Sequence, residues 1–114
     1  MWRSSLLLAL LLAACSKGPQ ADLSAIKEAR SLAAEWALVN EQARQGKLTA
    51  TYVDTMHQTL REQLETASAA LTVPDAPYGQ EIRAILKQPN NSAPAALRVH
   101  VARLKQMEDQ LESA

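Results

Sequence analysis

The chain has 114 residues, with 12 Lys+Arg against 12 Asp+Glu, and 47% of it is hydrophobic. That length makes one domain at most, and the even charge balance gives no reason to expect nucleic acid or an anionic surface as a partner. Ala and Leu abound and Phe is absent; the mixture suits packed helices and is too apolar for a disordered tail.

The first element is the stretch LLLALLLAACSKGPQ, preceded by Arg3. Its apolar run from Leu6 to Ala14 would cover about 14 Å as a helix, half of a bilayer's ~30 Å core. That is too short for a stable transmembrane helix. A charged start, a short apolar run and small closing residues read instead as an export signal.

Leu12-Ala13-Ala14-Cys15 resembles the lipobox of bacterial lipoproteins, a Leu, two small residues and a Cys. The resemblance covers residues 1–15 and no family is recognised for the rest. It implies cleavage between Ala14 and Cys15, acylation of the Cys15 thiol and of the new amino group, and a membrane anchor through that lipid. Cys15 is the sole cysteine, so it has no internal disulfide partner. Two or three acyl chains, at roughly 0.8 kcal/mol per buried CH₂, hold far better than one. Within this class Asp after the Cys favours the inner membrane; Ser16 therefore points to the outer membrane facing the periplasm, with the inner membrane as the alternative.

The expected mature chain, from Cys15, carries 11 basic and 12 acidic residues once Arg3 is removed. Residues 15–21, the lipidated Cys followed by SKGPQA, read as a flexible tether because Gly, Pro and polar groups follow one another without periodicity.

The rest, residues 22–114, reads as an all-α small bundle built on a long antiparallel αα-hairpin, with a short helix and a C-terminal helix. The first helix, about 22–45, places Ile26, Ala29, Ala33, Trp36 and Ala43 at three- and four-residue steps, with Asp22 as N-cap and Gly46 as the left-handed residue that ends it. The second, about 50–72, carries Val53, Met56, Leu60, Leu64, Ala67 and Leu71. Thr49 caps it, or Thr51 pairs with Asp54 in a box-like variant. So short a connection makes the two antiparallel neighbours. Pro74 and Pro77 in TVPDAPYGQ impose a turn, and a third helix, about 78–87, carries Ile82, Ile85 and Leu86. QPNNSAP breaks it. Pro94 then sits in the first turn of the last helix, about 94–112, with Ser92 or Ala93 as cap and Leu97, Val101, Leu104, Met107 and Leu111 on one side. The sequon Asn90-Asn91-Ser92 carries no meaning in a bacterial lipoprotein.

Few residues offer chemistry. His57 lies at the edge of the second apolar stripe and His100 between Leu97 and Leu104. They are weak metal candidates, since zinc takes three or four ligands and no free Cys is left to help; two boundary histidines are the simpler reading. Glu28, Glu35, Glu41, Glu62 and Glu65 are spread along the long helices, where charge is usually solvated. No Gly-x-Ser-x-Gly and no phosphate loop occurs. Asn40 falls on the apolar line between Trp36 and Ala43, as a buried amide that fixes register or, being close to Gly46, as part of a wet helix end; the second is favoured. Trp36 reads as core.

These features predict no enzyme and no cofactor. They predict a lipid-anchored interaction module for an envelope protein or a second copy of itself, with no nucleic acid. The alternative is a small metal- or ligand-binding periplasmic carrier or enzyme that uses His57 and His100. A module should leave apolar surface exposed, whereas a carrier should enclose a pocket lined by one of those histidines.

Overall fold

The computed structural model describes residues 18–114. Cys15, Ala14, the expected signal segment and the first residues of the tether lie outside the described residues. A single 3₁₀ turn, Pro19–Asp22, leads into helices α1 (Leu23–Arg44), α2 (Ala50–Ala69), α3 (Pro77–Leu86) and α4 (Pro94–Glu112). The fold is an all-α bundle built on the α1–α2 hairpin.

The hairpin turn follows from Gly46. Its φ of 71° is a left-handed conformation that a Cβ would strain. There the N–H of Lys47 reaches the carbonyl of Gln42 (3.0 Å) and that of Gly46 the carbonyl of Ala43 (3.1 Å), a Schellman closure of α1. Thr49 then caps α2, its hydroxyl accepting from the Tyr52 N–H at 3.2 Å.

Helix α1 is the spine. It packs along both α2 and α4, while no residue pair from α2 and α4 comes within 8 Å between Cα atoms. Its buried set is accordingly wide: Ile26, Ala29, Leu32, Ala33, Trp36, Ala37, Val39 and Asn40. The small residues Ala29, Ala33 and Ala37 let neighbours approach, and Trp36 fills the space they leave. Helix α4 runs antiparallel to α1, as the ion pairs Lys27–Glu112 (3.1 Å), Arg30–Glu108 (3.1 Å) and Glu41–Arg98 (2.6 Å) show. Helix α3 packs against α2, α4 and α1 and buries Tyr78, Ile82 and Ile85 in the common core with Leu60, Leu64, Leu97 and Leu104.

Three elements depart from expectation. Asp22 does not cap α1: its carboxylate faces the segment after α2, accepting from the backbone of Thr72 (2.7 Å) and Val73 (3.0 Å), from the Thr72 hydroxyl and from Tyr78 Oη (2.6 Å). Those bonds draw the chain off the helical path, so α2 stops at Ala69, short of residue 72. Helix α3 starts at Pro77, which needs no N–H in a first turn. Gly79 lies in that turn because a Cβ there would sit 2.1 Å from the Pro74 carbonyl oxygen. Finally, residues 18–21, expected to be part of a flexible tether, are held against the bundle. Gly18 N–H donates to Thr72 Oγ1 (3.2 Å) and Gln20 Nε2 to the Leu111 carbonyl (2.8 Å), so the chain is bonded to the bundle from Gly18 onward.

Leu60 is 1% and Leu104 0% exposed. Alanine at either should cost about 2–5 kcal/mol, lowering the circular-dichroism melting temperature. Gly79→Ala should also destabilise, because its contact is with backbone that cannot rotate aside. A melt unchanged by all three would refute this packing.

Candidate functional site

The polar chemistry of the bundle gathers where the ends of α1 and α3, α2 and the α3–α4 loop meet. Pro89 and Pro94 keep the loop from continuing either helix, so its carbonyls need partners from elsewhere. Helices α1 and α2 provide them. Asn40 Nδ2 donates to the carbonyls of Asn90 (2.9 Å) and Ser92 (2.8 Å), and Trp36 Nε1 donates to the same Asn90 carbonyl (3.0 Å). From α2, Arg61 donates to the carbonyls of Leu86 (2.8 Å) and Gln88 and to Asn90 Oδ1. The Arg61 guanidinium also lies 4.7 Å over the Trp36 ring, a favourable cation–π placement.

Asn40 is therefore the buried amide, 4% exposed, and the wet-end reading is corrected. Because both its N–H groups face carbonyls, its oxygen must accept. His57 Nε2 lies 2.7 Å from that oxygen, so Nε2 carries the proton and Nδ1 of the neutral ring bears the lone pair. Burial, first, and the nearby Arg61 hold the His57 pKa below the ordinary histidine range, against the opposing pull of Asp54. His57 is 6% exposed, buried rather than at a boundary. It borders an open cleft of about 220 Å³ with Asn40, Ala43, Arg44, Val53 and Asn91.

His100 sits apart, on α4, with Nδ1 2.6 Å from Glu81 Oε1 and Nε2 3.4 Å from Gln88 Nε2. The two histidines do not share a site, yet one relay joins them. Ser92, whose carbonyl takes Asn40, donates its hydroxyl to Gln88 Oε1 (3.0 Å), and Gln88 meets His100. Among the described residues no three His, Cys, Asp or Glu side chains lie close enough to hold a metal ion. Ser92 does not cap α4; Ala93 occupies that position.

One further buried charge escaped the sequence reading. Glu108, 2% exposed, is held by Arg30 Nε and Lys105 Nζ, each at 3.1 Å. Burial alone would raise its pKa; the hydrogen bonds and charges of Lys105 and Arg30 outweigh that and lower it. The signal was available, since Glu108 falls on the line of Leu97, Val101, Leu104 and Leu111. Asp22 behaves alike: burial pushes its carboxyl up, but the bonds from Thr72, Tyr78 and Val73 bring it below the ordinary value. Tyr78, which donates to it, is pushed up by burial and by that carboxylate. Among the described residues the large apolar side chains exposed at the surface are Leu38, Tyr52 and Val99, each about half exposed. Glu28, Glu35, Glu62 and Glu65 are solvated, as expected.

Asn40→Ala leaves His57 Nε2–H and the Ser92 carbonyl without partners, while the Asn90 carbonyl keeps Trp36 Nε1, at about 1–3 kcal/mol for each group left unpaired and buried. A folded-state pKa below the unfolded value means the unfolded chain binds more protons, so stability contributed by neutral His57 is full above about pH 6.5 and is lost as pH falls below it. Melting temperature should drop from pH 7 to 5, and His57→Gln, which keeps a donor for Asn40, should flatten that slope. An identical slope in the variant would remove His57 from the acid response.

Comparison with protein-family models, with curated proteins and with solved structures finds no match to the chain.

Proposed function

We propose that the chain is a lipid-anchored protein of the bacterial cell envelope whose bundle is a protein-interaction module without catalytic activity of its own. The observation that carries this reading is the spacing between the lipobox-like Leu12-Ala13-Ala14-Cys15 and the bundle. Gly18 is already bonded to Thr72, and only Ser16 and Lys17 separate it from Cys15. Lipid on Cys15 would then hold the bundle by one end, within about 10 Å of the anchor at ~3.3–3.6 Å per residue. No described helix is long and apolar enough to cross a membrane. Helix α1 starts at that end and runs 22 residues, about 33 Å at 1.5 Å per residue, so the Asn40–His57 cleft lies at the end remote from the anchor. Ser16 after the cysteine supports the outer membrane facing the periplasm.

A fixed anchor raises the local concentration of the bundle relative to partners on the same membrane, so a weak contact suffices. The partner in this reading is an envelope protein or a second copy of the chain. The even charge gives nucleic acid no role.

Cys15→Ala should abolish incorporation of labelled palmitate, leave unprocessed precursor and shift the protein out of the membrane fraction. The unlipidated form should fail to complement a deletion at equal abundance. Maturation at the same site with unchanged fractionation would refute the anchor, and full complementation would remove the tether from the mechanism.

A further inference from the structure

We propose that the cleft between α1 and α2 binds the free C-terminal residue of another polypeptide, one with a small aliphatic side chain. This rests on the bundle's being an interaction module and names what that module recognises.

Three features of the cleft converge. The first is an acceptor on a buried ring. His57 spends Nε2–H on Asn40, which leaves Nδ1 as a lone pair with no partner among the described residues. Among the described residues no sealed side-chain nitrogen or oxygen is without a partner, so Nδ1 opens onto the cleft that His57 borders. The second is a cation. Arg44, the exposed last residue of α1, makes no ion pair among the described residues, and its neighbour Glu41 is engaged by Arg98 at 2.6 Å. The third is an apolar wall, formed by Ala43 and Val53, with Asn91 also lining the cleft.

Charge sets the sign of the ligand. The C-terminus of α1 and the N-terminus of α2 meet here, so their opposed dipoles offset one another. Asp54, one turn before His57 on the exposed side of α2, and Arg61 act on the ring with opposite signs, and Arg44 is the one charged residue that lines the cleft. Size narrows the choice. At about 220 Å³ and open, the cleft is smaller than the ~300–1,000 Å³ pockets that enclose whole small molecules; it takes the end of something longer. A chain terminus fits all three features: its last N–H donates to His57 Nδ1, its carboxylate accepts from Arg44 and the Asn91 amide, and its side chain lies on Ala43 and Val53. An internal peptide lacks the carboxylate, and a simple fatty acid lacks the donor. Capture of terminal carboxylates is an established mode of peptide recognition.

The test is a nuclear magnetic resonance titration of the ¹⁵N-labelled full chain in detergent micelles, with N-acetylvaline, N-acetylvalinamide and isovalerate as probes. N-acetylvaline should give saturable shifts at Ala43, Arg44, Val53 and Asn91 with a Kd on the order of 1 mM. The amide, lacking charge, and isovalerate, lacking the N–H, should each bind at least about tenfold more weakly, a factor within reach of one lost polar contact. Arg44→Gln, at an exposed position, should weaken N-acetylvaline by a similar factor without changing the melting temperature. Equal affinity for the amide, equal affinity for isovalerate, an unchanged Kd in Arg44→Gln, or no saturation at these residues would each overturn the proposal. Fractionation of Cys15→Ala does not depend on these probes: silent probes with an intact anchor would remove this site and leave the anchored module standing.

Discussion

Every hydrogen-bonding group of the Asn40 amide is in use, and its partners lie on different parts of the chain. Its nitrogen holds the carbonyls of Asn90 and Ser92, and its oxygen takes His57 from α2. One side chain on α1 thus fixes where α2 crosses and where the loop into α4 begins. A fully satisfied buried amide stabilises one register and penalises the rest, because any slip leaves donors and acceptors unpaired in a low dielectric. Trp36 and Arg61 complete the arrangement from either side, so the loop is held by its backbone rather than by its own side-chain packing.

At the opposite end Asp22 performs the corresponding task with a charge. It gathers the two backbone N–H groups after α2 and the Tyr78 hydroxyl of α3. The two clamps respond to acid in the same sense. Asp22, with its pKa depressed, contributes stability above the ordinary carboxylate range and loses it as pH falls through its folded value. His57 loses its share earlier, below about pH 6.5. Glu108, between Arg30 and Lys105, adds a third group that must stay ionised.

Much of the architecture was legible in the residues. The stripe of Ile26, Ala29, Ala33 and Trp36, the Gly46 stop and the Thr49 cap mark an antiparallel hairpin because local chemistry and periodicity agree there. The polar clamps were not legible, for a physical reason: their acceptors are backbone carbonyls and amides, which carry no signature in the sequence. QPNNSAP reads as a breaker, and nothing in it announces that Asn90 and Ser92 offer oxygens to Asn40. Asp22 preceding a helix reads as a cap, since that local option exists, yet Thr72, Val73 and Tyr78 compete from about fifty residues away and win. Glu108 was hidden by its charge, although it falls on the apolar line of α4.

The spine arrangement also governs how sequence change is tolerated. Since α2 and α4 meet only through α1 and α3 and do not approach one another, substitutions in the two that share no partner should have costs that add. Residues of α1 have no such freedom. Ala33 or Trp36 must suit two neighbours at once, so a change there requires simultaneous compensation on both sides. Drift in this chain is therefore expected to concentrate in the two outer helices, with α1 and the short loop it holds changing together or not at all.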